Sequence, residues 1–90
     1  MAGHYTANGD NARWRVVDGE AVIINLVNTH YYSLNRTGTF LWSLLVERTA
    51  TMDDLVSAVA TRYGRPAADV APDVRAVLDD LAREGLVLEK

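Results

Sequence analysis

The sequence contains no cysteine. Disulfides and thiolate metal sites are thereby excluded, and a cytoplasmic setting fits. No apolar run approaches the roughly 18 residues that a membrane span needs. The polar start MAGHYTANGD lacks the apolar segment of a secretion signal, so none is expected. Positive charge is not in excess: the net charge is -3 and the pI about 5.2, against the basic face of a nucleic-acid binder. There are two histidines, His4 and His30, with no H-x-x-x-H or H-x-x-E spacing, too few to converge on a metal ion. No serine sits in G-x-S-x-G, and the isolated glycines of DGE and TGT make no phosphate loop. His30 and Ser33, three apart on an extended segment, point to opposite faces and cannot pair as base and nucleophile. The pairs Asp53-Asp54 and Asp79-Asp80 fall on solvated helix surfaces, where nothing desolvates a carboxylate for acid-base work. No catalytic group, cofactor or metal is expected.

What is present is an ordinary globular balance. Of 90 residues, 49% are hydrophobic and 23% charged. That is one domain, burying roughly 60–65% of its unfolded surface, a size suited to binding more than to a deep catalytic cleft. Residues 1–12, small and polar, read as a flexible arm, and 13–90 as a single domain. RWRVVD (13–18) alternates, Asp18-Gly19 is a two-residue turn signal, and EAVIINLV (20–27) is a β-branched strand. Asn28-Thr29 makes the next turn and HYYSL (30–34) a third strand. The period then changes to about 3.6. Asn35 caps a first helix carrying Leu41, Leu44 and Leu45, and Gly38 in its first turn permits a close backbone approach. Thr51 and Asp54 form a capping box for a second helix with a stripe at Met52, Leu55, Val56, Val59 and Tyr63, ended by Gly64. Asp69 is the expected cap of a third helix, with Pro72 in its first turn and a stripe from Val70 to Leu81. Gly85 stops it, and LVLE extends.

The order is βββααα, an α+β domain in which a three-stranded antiparallel meander precedes three helices, in a winged helix-turn-helix-like arrangement. In a DNA-binding domain of that kind the third helix would read the major groove. Across 69–84 it carries Asp69, Asp73, Asp79, Asp80 and Glu84 against Arg75 and Arg83, five minus two, a surplus of three negative charges. Such a helix repels phosphates.

The passages YYSLNRTGTFLWSLL, TMDDLVSAVATRYG and DVRAVLDDLAREGLV resemble, in order and spacing, the PqqD-like family, the precursor recognition elements of ribosomal peptide biosynthesis. The resemblance runs from residue 14 to about 88. Its most specific parts are LN-x-TG-x-x-LW and DV-x-x-VL-x-x-L-x-x-x-GLV. Where the family often has an acidic-Gly turn after the first helix, this chain has Glu47-Arg48-Thr49. The resemblance implies non-catalytic binding of a precursor's leader peptide. The leader would pass to a maturation enzyme such as a leader peptidase or a radical SAM enzyme, free-standing domains of this size being frequent in lasso-peptide systems. No nucleic acid or membrane partner is expected, and the domain is expected to be a monomer or weak dimer.

The residues supply a mechanism for that role. The third strand of a meander has one unpaired edge, and Thr29, His30, Tyr31, Tyr32, Ser33 and Leu34 include no proline, lysine or glycine to block it. A leader adds there as a further strand. Leu34 enters the core, so Tyr32 and His30 share its face while Tyr31 and Ser33 point away. Asp73, Val74, Val77 and Asp80 of the third helix, with Glu84 on the same flank, form the facing wall, its acids suited to a Lys, an Arg or a backbone N–H. Proline at Tyr32 is expected to abolish binding. Aromatics are common in strands whatever their role. The alternatives are a winged-helix transcriptional regulator, which salt-dependent DNA binding would reveal, and a structural dimerisation module, which size exclusion would reveal.

Overall fold

The computed structural model describes residues 3–89. The meander is present: β2 (Ala12–Val17), β3 (Glu20–Asn25) and β4 (Tyr31–Ser33) pair antiparallel in that order, and β1 (His4–Ala7) precedes them. Asp18 and Gly19 turn the first hairpin with φ of 53° and 80°, the left-handed pair that a two-residue loop between right-twisted strands requires. Along β3 the pleat buries Ala21, Ile23 and Asn25 and leaves Val22 and Ile24 half-exposed on the outer face.

Helix α1 (Arg36–Glu47) begins where the Asn35 side chain accepts from the Gly38 N–H at 2.9 Å. A Cβ on Gly38 would stand 3.2 Å from two side-chain atoms of Leu34, so glycine lets the helix close onto the strand it leaves. The Ala21 N–H donates to Thr39 Oγ1 at 2.7 Å, tying α1 to β3. The short β5 (Ala50–Thr51) leads into α2 (Met52–Tyr63), whose capping box has both bonds, Asp54 N–H to Thr51 Oγ1 and Thr51 N–H to Asp54 Oδ2, each 3.1 Å. Helix α3 (Ala67–Arg83) and β6 (Val87–Glu89) complete the chain. Leu41, Trp42 and Leu45 of α1, Leu55 and Val59 of α2, and Val70, Val74, Leu78 and Leu81 of α3 meet Ile23 in one core. The Trp42 indole N–H, buried there, finds no hydrogen-bond partner among the described residues, and the ring of Trp14 lies edge-to-face with it at 5.4 Å.

Three expectations are corrected. The flexible arm over 1–12 instead holds β1, the middle strand of a second sheet ordered β5-β1-β6, with Tyr5 opposite both Ala50 and Glu89. Backbone pairing to two remote segments holds this strand, with Tyr5 and Ala7 packed on the core; Met1 and Ala2 of that arm, and Lys90 at the end of the domain, lie outside the described residues. The order βββααα accordingly gains β1 and β5, and the extended LVLE segment is β6. Helix α3 is capped by Pro66 and not Asp69, which sits in the first turn and donates its N–H to the Pro66 carbonyl at 3.0 Å. Two alanines of high helix propensity carry the start forward, and an acid at the N-terminal end still favours the helix dipole. Pro72 therefore lies at the sixth helical position, inside the helix rather than in its first turn.

Candidate functional site

Register decides which backbone groups of β4 are available. Leu34 N–H donates to the Ala21 carbonyl at 2.8 Å, and Asn25 N–H to the His30 carbonyl at 2.8 Å. Since hydrogen-bonded and non-bonded pairs alternate across an antiparallel ladder, Tyr32, opposite Ile23, turns its N–H and C=O toward β3. Tyr31 and Ser33 turn theirs to the outside. Among the described residues no strand pairs on that side. The edge thus offers two donors and two acceptors. It is bounded by left-handed Thr29, φ 62°, before it and by the Asn35 cap after it. Proline at Tyr32 therefore strikes the internal ladder; the outward donors belong to Tyr31 and Ser33.

The side chains sort as the alternation requires. Tyr31 is 73% exposed on the outer face, Leu34 is buried, and Tyr32 is half-buried on the inner side. There its phenol faces the Asp80 carboxylate, with Glu84 and Arg83 nearby. Burial first, then the negative charges of Asp80 and Glu84, hold the phenol above its ordinary pKa and so keep it protonated. Arg83 donates to Asp80 Oδ1 at 3.0 Å from the exposed side.

Between β4 and the end of α3 lies a cleft of about 430 Å³, lined by Asn25, Thr29, His30, Tyr31, Tyr32, Glu84 and Leu86. Of the residues expected at the site, Thr29, His30, Tyr31 and Tyr32 line this cleft, and Ser33 lies on the same edge. Asp73, Val77, Asp80 and Glu84, spaced four, three and four residues apart, follow one face of α3. Val74 is fully buried and Leu34 only 6% exposed. Both are core side chains, which corrects their assignment to the peptide-contacting set: the centre of the α3 stripe packs inward, and only its flank is open.

Glu84, read from the sequence as part of the acidic wall, lines the cleft; Asn25 and Leu86 line it without having been assigned to it. Asn25 is the informative one. It is the only buried polar residue among the described residues; its Nδ2 donates to the Glu84 carbonyl at 2.7 Å, and its Oδ1 accepts from Val27 N–H at 2.9 Å. It fastens the β3–β4 connection to the last turn of α3 and sets the cleft's width. An asparagine within an apolar strand was the available signal. A larger hollow of about 690 Å³ between α1 and α2, lined in part by Phe40, Arg48, Asp54 and Arg62, includes none of the strand-edge residues and no unpaired strand. Among the described residues no cluster of His, Asp and Glu is placed to hold a metal ion, and no helix is long and apolar enough to cross a membrane.

The protein is thus an α+β domain of winged helix-turn-helix-like architecture in which the open β4 edge of its main sheet lies beside the acidic end of α3. It belongs to the PqqD family: the family model described as coenzyme PQQ synthesis protein D matches residues 20–87, from β3 into β6. Among solved structures it is similar to TbiB1 in complex with the TbiA(beta) leader peptide, with 28% sequence identity and a TM-score of 0.80, over 91% of this chain and 93% of that one. A search of the curated proteins finds no match.

Proposed function

We propose that this chain is a non-catalytic recognition element that binds the leader segment of a ribosomally synthesised precursor peptide. The leader adds as a strand to β4 and docks against α3. The carrying observation is the outward backbone of Tyr31 and Ser33, set beside a cleft that α3 closes from the other side. Family membership and similarity to a protein held in complex with a leader peptide support the same reading. The bound leader is delivered in the cytoplasm to a maturation enzyme, a leader peptidase or a radical SAM enzyme, in a pathway of the lasso-peptide kind. The domain itself is a monomer or a weak dimer.

Energetics divide the labour within the site. Four backbone hydrogen bonds at about 1 kcal/mol net each give about 4 kcal/mol, which barely offsets the roughly 4–15 kcal/mol lost on association. The edge therefore fixes direction and register, and side chains in the cleft supply most of the affinity. Fluorescence anisotropy with a labelled synthetic leader, taken from a precursor gene found beside its own, tests the proposal. Saturable binding tighter than about 100 μM, roughly 5.5 kcal/mol, is expected; weaker binding by the folded domain counts against it.

A further inference from the structure

Strand addition has a parity, and the two faces of this sheet differ in chemistry. A residue added opposite Tyr32 projects to the inner side, toward α3, and its two neighbours project outward. Inside wait the half-buried Tyr32, the Asp80 carboxylate that it faces and that Arg83 meets at 3.0 Å from the exposed side, and Glu84 at the cleft wall. Outside, the register makes two rows, Arg13–Ile24–Tyr31 and Arg15–Val22–Ser33. The nearest outer neighbours of an added strand are thus exposed Tyr31 and Ser33, with Ile24 and Val22 behind. Together with Arg13, Trp14 and Arg15, Tyr31, Ile24 and Val22 line a shallow, largely apolar hollow of about 450 Å³.

We infer that the bound segment is two-faced: the side chain opposite Tyr32 is cationic and enters the cleft toward Asp80 and Glu84, while those immediately before and after it are apolar and lie on the outer face against Tyr31. This rests on the strand-addition reading and specifies its ligand. Asp80 and Glu84 against the single guanidinium of Arg83 leave the inner side net negative, and that charge dominates the choice. A lysine or arginine opposite Tyr32 starts about 5 Å from it across the pair. Arg13 and Arg15 stand three strand spacings from an added strand, about 14 Å at the backbone, beyond the roughly 8 Å Debye length at physiological salt. They discourage an outward cation only weakly. A slip of one residue would move the cation out of the acidic cleft and press apolar side chains onto carboxylates, so the charge also sets the register.

The test needs no known ligand. A random nine-residue peptide library displayed on phage is selected against the immobilised domain, against Ser33→Pro, and against Asp80→Lys/Glu84→Lys, each checked for folding by circular dichroism. Supporting results are sequences lost on Ser33→Pro that carry Lys or Arg flanked by apolar residues, the cation giving way to Asp or Glu on the charge-reversed domain. In synthetic copies, Lys→Glu then weakens binding to the wild type at least tenfold. Sequences lost on Ser33→Pro that lack this cation, or keep it on the charge-reversed domain, overturn the inference and leave strand addition standing. Sequences that bind Ser33→Pro unchanged overturn strand addition itself, and the inference with it.

Discussion

Proline placed at Ser33 and at Tyr32 separates the docking edge from the fold that carries it. Ser33 is exposed, and its N–H points away from β3. Proline there leaves the internal ladder intact, as it does on edge strands whose N–H faces solvent. An incoming strand loses one hydrogen bond of about 1 kcal/mol, and its carbonyl is left unpaired in the cleft at a further cost of about 1–3 kcal/mol. The sum, about 2–4 kcal/mol, is roughly a 30- to 1,000-fold rise in Kd. Tyr32→Pro acts in the other direction. Its N–H faces Ile23, so the substitution breaks the β3–β4 ladder and should lower stability by about 1–3 kcal/mol before any peptide is present. Urea denaturation reads the second effect, and anisotropy with a labelled leader reads the first. A folded Ser33→Pro variant whose affinity stays within threefold of wild type would refute the docking edge. A Tyr32→Pro variant as stable as Ser33→Pro would refute the register parity from which both expectations come.

Asn25→Ala should cost about 2–4 kcal/mol in urea denaturation, because it strands the Glu84 carbonyl and the Val27 N–H, and it should weaken leader binding by letting the cleft widen. Gly64 closes α2 at φ 63° with open space where a Cβ would stand, so Gly64→Ala should lower stability by about 1–2 kcal/mol through backbone strain alone. Thr51→Ala should cost about 1 kcal/mol by removing the α2 cap. Hydrogen bonds from the Thr51 backbone and then its hydroxyl hold the Asp54 carboxyl below its ordinary pKa. Its contribution is therefore complete above the ordinary value of about 4 and lost as pH falls through the lower folded value. The gap in Tm between wild type and Asp54→Ala should close across that acid range and stay constant above it.

The features written in local sequence were legible. Asp18-Gly19, Asn35, the Thr51–Asp54 box, Gly64 and Gly85 each act through groups within four residues, and each stands where the pattern put it. The strand edge followed from counting strands, and the inward turn of Tyr32 from the burial of Leu34. Strands β1 and β5 were hidden because they are four and two residues long and pair across separations of more than forty residues, and the extended LVLE segment that forms β6 carried no sign of its partner. Nothing in HYTA alone announces Ala50 or Leu88 as a neighbour. The start of α3 was misplaced because Asp69 has a cap's chemistry, while Pro66 ends the preceding loop without a side-chain bond. Val74 and Val77 look alike in sequence; one is core and the other borders the open face, a difference set by what packs across from each.

The pairing of Tyr5 with Glu89 brings the start of β1 and the end of β6 side by side as antiparallel neighbours. To the folded domain, the peptide bond at Asp18-Gly19 and a short bridge from β6 back to β1 are nearly interchangeable connections. Circular permutation follows as an option: a domain opened in the first hairpin and joined from β6 to β1 should keep its strand pairings and helix caps. Its affinity for a leader would then report on the cleft alone, independent of the order in which the segments are synthesised.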